Sequence, residues 1–387
     1  MKPIHPFPAR MAPELVKEKF ISMPKGSKVL DPMCGSGTSL KYAIDAGLNP
    51  VGWDIDPLAV KMARTWCRRF DIKRLRRLSE ELRLKLNRQR VLPRCRFDNC
   101  SETQEFVDYW FAREQQDDLN RLSIAIEDMF PPGRTRDFFQ IAMSRIIITK
   151  FKGASLAWDI SHSRPHKKKI TNDYQTILEF FKSFEKLVQL YEATPSKYDA
   201  SIELRDCRKS VPHKEFDFII TSPPYLNAID YMRGHKFSLI WMGYTIPQLK
   251  KIKSNSVGVE RGISPLYENE KYQKIIKDVC TGRQLNPKVR KYLLRYIYDC
   301  EVIIERLKST LQPTGDLVMV VGNSSHYGTK ISNDKIFVNI ATDAGFNLID
   351  KKKRSIARRS RYLPMLNGHQ SISNRIKTES VIHFAIA

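Results

Sequence analysis

Lys28-Val29-Leu30-Asp31-Pro32-Met33-Cys34-Gly35-Ser36-Gly37-Thr38 is the stretch whose reading decides the fold. A short strand over residues 28–30 runs into a turn with two glycines. Residues 39–45 then read as a helix, closed by Ala46-Gly47. A second strand over 50–53 ends on Asp54-Ile55-Asp56-Pro57, where another helix starts. Strand, glycine turn, helix, strand and acidic end is the opening of a doubly wound α/β sheet. Gly35 and Gly37 let backbone approach a ligand closely at a helix start. A dinucleotide fingerprint wants a third glycine at position 40, where Leu40 stands, so NAD and FAD are disfavoured. Asp54, 19 residues beyond Gly35, is placed to accept from ribose hydroxyls. The ligand predicted is a nucleoside without a pyrophosphate. S-adenosylmethionine fits, because its sulfonium and ammonium favour a carboxylate in the turn and Asp31 supplies one. Taken alone, a Gly-x-Gly turn also reads as a tight structural bend.

Working outward, a third strand is due after one helix. Instead the pattern turns helical, and residues 64–195 read as a helical insertion. Residues 61–96 hold 14 Lys/Arg against three acids (Asp71, Glu80, Glu81), nearly half of the chain's excess of +24. Ile177, Phe181, Phe184, Val188 and Tyr191 repeat at alternating spacings of four and three, an amphipathic helix with a core-facing stripe. Strands resume over 200–204 and 216–220. Residues 226–290, polar and with Gly and Ser clusters near 254–264, read as loop-rich. Leu293, Ile297, Cys300, Ile304, Leu307 and Leu311 predict a helix broken at Pro313-Thr314-Gly315. Residues 317–321 and 380–387 read as strands. The expected domains are a catalytic unit from 1–63 and 196–387, its cofactor half first, and the basic insertion 64–195 as a candidate DNA-binding and target-recognition region.

The 387 residues carry 66 Lys/Arg against 42 Asp/Glu, a net charge of +24. Such an excess implies self-repulsion unless a polyanion is the usual partner, and nucleic acid is the first suspect. A membrane partner is disfavoured, since no apolar run approaches the ~18 residues of a spanning helix. The start, MKPIHPFPARM, lacks a continuous apolar stretch of the secretory kind. Seven scattered cysteines suit a reducing cytoplasm, and the expected location is cytoplasmic and nucleoid-associated.

Thr221-Ser222-Pro223-Pro224-Tyr225 carries the sharper chemistry. Two prolines after an apolar strand remove two donors and fix the backbone, leaving carbonyls to accept. A Ser hydroxyl and a Pro carbonyl suit the two hydrogens of an exocyclic amino group, and the adjacent Tyr suits stacking on a planar ring. Simple strand termination is the bland alternative, and the conjunction with the glycine turn makes it a poor one.

On these residues the chain resembles the S-adenosylmethionine-dependent DNA amino-methyltransferases that modify exocyclic nitrogens. Asp31, Met33, Cys34, Gly35, Ser36, Gly37 and Thr38 are similar to the family's cofactor motif I. Asp54 and Ile55 stand where motif II binds ribose and packs on adenine. Asp206 and Cys207, within Arg205-Asp206-Cys207-Arg208, resemble motif III, whose acid accepts from the adenine amino group. Ser222, Pro223, Pro224 and Tyr225 resemble catalytic motif IV. Residues 5–11, including Phe7, resemble motif X, which lies over the methionine end of the cofactor. The resemblance implies a doubly wound, Rossmann-like class I methyltransferase sheet with a large helical insertion. The Ser-Pro-Pro-Tyr form is associated with cytosine-N4 enzymes, Asn or Asp in first position with adenine-N6 enzymes. No Pro-Cys dipeptide occurs, which disfavours the nucleophilic-cysteine route to C5-methylcytosine. The long interval between motifs II and III departs from the family pattern.

The function so implied is sequence-specific methylation of cytosine N4 in double-stranded DNA, with a cognate restriction endonuclease as a possible companion. The alternatives are adenine N6, an RNA base, or nucleic-acid binding without catalysis. The base must be flipped out to be reached. Basic residues within 68–96 and 351–361 would hold phosphates. Cys95, Cys100, His162 and His166 are too loosely spaced for a zinc site, and no metal is expected. Cys34 and Cys207 read as packing thiols, Trp66 and Trp110 as core. Recognition sequence and oligomeric state are open.

Overall fold

The computed structural model describes residues 4–5, 11–88, 96–97, 99–149, 152–158, 166–167, 170–209, 215–226, 230–259, 269–282, 285–326, 328–356 and 378–387. Its central sheet has seven strands: β1 (Lys28–Asp31), β2 (Asn49–Asp54), β3 (Ser201–Leu204), β4 (Phe216–Thr221), β5 (Leu311–Gly322), β6 (Phe346–Ser355) and β7 (Thr378–Ile386). They lie in the order β6-β7-β5-β4-β1-β2-β3. Strands β1 to β5 are parallel, and β7 runs antiparallel between β5 and β6. This is the Rossmann-like class I methyltransferase sheet expected from the sequence. The order reverses between β1 and β4, and crevices at such a switch point are where open α/β sheets bind ligands.

Helices α1 (Pro13–Phe20), α2 (Thr38–Ala46) and α3 (Pro57–Trp66) accompany the first two strands. Between α3 and β3 come α4 (Ile72–Arg88), α5 (Ser101–Trp110), α6 (Arg113–Met129), α7 (Arg134–Ile147) and α8 (Thr176–Glu192). After β4 follow α9 (Tyr231–Leu239), α10 (Ile246–Asn255), α11 (Glu270–Val279), α12 (Pro287–Thr310) and α13 (Asn333–Asp343).

Alternation along the strands sorts side chains to two faces. Val29, Phe218, Ile220, Val318 and Val320 pack with Leu15, Val16 and Phe20 of α1 and Ala43 of α2. Their neighbours Leu30, Ile219, Leu317, Met319 and Val321 pack with Ile297, Ile304 and Leu307 of α12 and Phe337 of α13. A third core joins α3 to α8 with α9 and α10, so that the insertion and the segment after β4 share one interior. Phe237 of α9 meets Phe106 and Trp110 of α5, both at 5.0 Å between ring centroids. Trp241 meets Phe111 at 5.3 Å. Trp66 is buried and Trp110 half-buried, core positions both. Among the described residues, no helix is long and apolar enough to cross a membrane.

Two expectations are corrected. Among the described residues of 226–290, α9, α10 and α11 stand where loop was expected, each with a side-chain N-cap (Asp230, Thr245 and Asn269), while residues 260–264 of the Gly and Ser cluster lie outside the described residues. The helix expected to break at Pro313 ends at Thr310, and Pro313 sits inside β5 at an irregularity in its pairing with β4, where a lost donor is tolerated. Residues 351–355, for which the sequence showed no element, belong to the edge strand β6, whose lysines and arginine suit an exposed sheet edge.

Candidate active site

The glycine turn joins β1 to α2. Gly35 and Gly37 have φ of +52° and +84°, in the left-handed region that favours glycine. A Cβ on Gly37 would lie 3.0 Å from that of Ala63 and 3.2 Å from the Cys67 sulfur, so the missing side chain also lets α3 pack close. Asp31 accepts from the Met33 N–H at 3.2 Å and from the Ser39 hydroxyl. Burial raises its carboxyl to about 6. Asp54 accepts from the Gly35 N–H at 2.8 Å and the Asp56 N–H at 2.9 Å. Burial, then the Asp56 charge, raise it to about 7. Ile55 stands half-buried beside it.

Two hydroxyls of this turn, Ser36 Oγ and Thr38 Oγ1, are buried without a hydrogen-bond partner. The N-terminus of α2 has no side-chain cap. Unsatisfied hydroxyls, an uncapped helix start and two enclosed carboxylates fit S-adenosylmethionine: acids for its cationic groups and ribose, a helix start for its carboxylate. Phe7 lies outside the described residues. Of the same segment, His5 is buried, with Nε2 2.9 Å from Ser144 Oγ of α7, which donates to Ser238 of α9 at 2.9 Å.

Asp206, the motif III acid of the resemblance, is engaged within the protein. Its oxygens accept from Arg208 at 2.9 and 3.0 Å, and Arg208 also donates to Asp299 of α12 at 2.7 Å. Cys34 and Cys207 are buried, and burial raises both thiols, Cys207 to about 12, which suits packing rather than nucleophilic attack.

The proline turn ends β4. β1 and β4 are neighbours in register, Leu30 beside Ile219, so the two turns leave adjacent strand ends on either side of the switch point. Ser222 Oγ donates to the Val320 carbonyl at 3.0 Å. A hydroxyl has one hydrogen, so this oxygen is left to act as an acceptor. Pro223 is buried, and the Tyr296 hydroxyl donates to the Pro224 carbonyl at 3.0 Å, one residue beyond the carbonyl assigned from sequence. The Tyr225 ring lies on Gly322, where a Cβ would come within 2.6 Å of it. Burial, then the Glu379 charge, raise its phenol to about 12.

Sequence reading missed the link between the turns. Asp56 caps α3 through the Leu58 and Ala59 N–H groups and meets buried His235 Nδ1 at 2.5 Å. Burial alone would raise the Asp56 carboxyl, but the His235 charge and hydrogen bond, with its two N–H donors, hold it below the usual range. Asp56 before Pro57 was a readable capping signal; its partner on α9 was not.

The basic run of α4 is partly neutralised: Arg76 pairs with Glu185 and Glu192, Arg77 with Glu81, Arg83 with Glu80 and Lys85 with Asp128. In β6, Lys351 pairs with Asp334 and Arg354 with Glu379. Arg358, Arg359 and Arg361 of the second run, and Cys95 and His162, lie outside the described residues.

No protein-family model matches the chain. It is 26% identical over 271 residues to the Type II methyltransferase M.MvaI of Kocuria varians, covering 64% of this chain and 59% of that protein. The chain thus spans less than two thirds of that relative's length. It is 26% identical over 380 residues to the Type II methyltransferase M.AvaI of Nostoc sp., covering 87% of this chain and 77% of that protein. A solved structure of a TehB-like SAM-dependent methyltransferase from Corynebacterium glutamicum matches at TM-score 0.31 and 10% identity, over 96% of this chain and 88% of that one. The chain is therefore similar, over most of its own length, to Type II methyltransferases.

Proposed function

We propose that this protein transfers a methyl group from S-adenosylmethionine to an exocyclic amino nitrogen of a base in double-stranded DNA. The observation that carries the reading is the Ser222 hydroxyl, its hydrogen committed to Val320, one strand away from a turn whose buried hydroxyls lack partners. The similarity to Type II methyltransferases supports it independently.

Bound S-adenosylmethionine would supply the methyl group as an electrophile. The Asp31 and Asp54 carboxylates would hold its cationic and ribose ends, and Ser36, Thr38 and the α2 N-terminus its polar remainder. A target base inside a helix cannot present its amino nitrogen, so it must leave the stack. Tyr225 would stack on the flipped base, while Ser222 Oγ and the Pro223 carbonyl accept from its amino hydrogens and steer the nitrogen lone pair toward the methyl group. Such a transfer relies on alignment and electrostatics rather than a covalent intermediate. The proposed target is cytosine N4, on the Ser-Pro-Pro-Tyr form of the turn. Unpaired cations of the helical layer would hold phosphates, and a companion endonuclease is part of the same proposal.

The test is incorporation of labelled methyl groups from S-adenosylmethionine into unmethylated duplex DNA and, in parallel, RNA, with nucleosides identified by mass. N4-methyldeoxycytidine supports the full reading. N6-methyldeoxyadenosine keeps the chemistry and overturns the role given to serine in the first position. Labelled RNA alone overturns the substrate. Failure to bind the cofactor overturns the enzyme, leaving a nucleic-acid-binding protein.

A further inference from the structure

Tyr225 has surroundings that the proposed transfer does not use. Its ring lies on Gly322, the last residue of β5; a Cβ there would sit 2.6 Å from Cε2 and 3.1 Å from Cζ. Gly322 pairs with Glu379 of β7, and Glu379 pairs with Arg354 of β6. Directly opposed residues on neighbouring strands send their side chains to one face of the sheet, with Cβ atoms about 4.5–5.5 Å apart. The face toward which a side chain at 322 would point is the one the Tyr225 ring covers. Glu379 and Arg354 therefore rise beside that ring in a single row. They are joined by an ion pair, Arg354 Nε to Glu379 Oε1 at 3.1 Å, with the Glu379 side chain only 14% exposed.

A carboxylate so enclosed is unfavourable unless paired. Burial lifts Glu379 above the usual range despite the opposing Arg354 charge, and its own charge is among the influences that raise the Tyr225 phenol. Pro223 and Pro224 restrict the backbone leading into Tyr225, and Gly322 limits the ring from below. At the polar end of the ring the phenol meets the Ser222 side chain and the Gly322 backbone, and the Glu379 charge acts on it from the neighbouring strand.

We infer that Glu379, held by Arg354, is a positioning residue for Tyr225, acting with Ser222 and the Gly322 backbone on the phenol end so that the ring stays flat on Gly322. The inference rests on the methyltransferase reading for its catalytic consequence, whereas the coupling between the two side chains is independent of it. A stacking platform has to be held closely, because a misplacement of about 1 Å in a reacting assembly lowers rates about 10²-fold.

The test is a double-mutant cycle of Glu379→Gln and Tyr225→Phe, read both by thermal unfolding and by methyl transfer to genomic duplex DNA from a methylation-deficient host. In the otherwise unchanged protein, Glu379→Gln is expected to lower kcat about tenfold, leave cofactor affinity unchanged and lower Tm by about 2–4 °C. In the Tyr225→Phe background, which lacks the hydroxyl, Glu379→Gln should have no further effect on either. Arg354→Gln, which leaves the carboxylate and removes its anchor, gives a second cycle with the same expectation. Equal losses in both backgrounds, or no loss from Glu379→Gln, overturn the inference. If the unaltered protein transfers no methyl group to DNA, the functional reading fails, and the Tm arm of the cycle still decides the coupling.

Discussion

The glycine turn and the proline turn leave adjacent strands of one sheet, yet they are finished to different degrees. In the glycine turn, polar groups remain in want: Ser36 and Thr38 keep buried hydroxyls without partners, and the Asp31 and Asp54 carboxyls are raised to about 6 and 7. In the proline turn, Ser222 and the Pro224 carbonyl are already bonded within the protein, and Tyr225 is bedded on Gly322. One turn is completed by what it binds; the other, from Ser222 onward, is completed by its own chain, with Thr221 Oγ1 at its start buried without a partner. Binding and alignment are thus separable, and substitutions on either side should fail in different ways.

The largest expected effect is from Tyr225→Ala, which should lower methyl transfer by about 10²-fold or more while cofactor titration is unchanged. Loss of cofactor affinity in this variant would break the contrast. His235→Ala should blur it, because His235 ties the Asp56 carboxylate beside the first turn to α9 beyond the second. A buried carboxylate stripped of its partner costs about 2–4 kcal/mol, read by denaturant unfolding, and both cofactor affinity and turnover should fall together. Gly322→Ala pushes a methyl group into the Tyr225 ring and should lower turnover about tenfold, again with cofactor affinity intact.

Acidity sharpens the contrast further. The Asp31 and Asp54 carboxyls are raised, so between about pH 4 and 7 the folded protein holds more protons than the unfolded chain, and stability falls as pH rises through that window. A cationic ligand favours the ionised forms. Cofactor affinity should therefore rise with pH across the same window, by up to about tenfold per pH unit for each carboxyl that must ionise, and calorimetry in buffers of different ionisation enthalpy should detect proton release. In Asp54→Asn the dependence should shrink to that of Asp31. The smallest effect is that of Ser36→Ala, a few-fold loss of affinity, near 0.5–1.5 kcal/mol for one hydrogen bond.

Both turns were legible because their chemistry is local: glycines at fixed spacing and two prolines after an apolar strand set their own backbone. The parallel core strands were legible as short apolar runs. Strand β6 was not, because FNLIDKKKRS at a sheet edge has too few buried positions to show a period. The helix α10 was missed although Thr245 and Gln248 form a capping box that announces it. Gly322, Glu379 and His235 could not be found from sequence, since their roles come from partners on other elements.

The shared interior of the insertion and α9 also bears on how the chain is made. Phe106, Trp110 and Phe111 are synthesised long before Phe237 and Trp241, the rings that cover them. At about 5–20 residues per second, the roughly 130 residues between Trp110 and Trp241 occupy a ribosome for about 7–26 seconds. For that interval the early helices carry an aromatic surface with no cover, and slower elongation between them lengthens its exposure to chaperones and to other nascent chains.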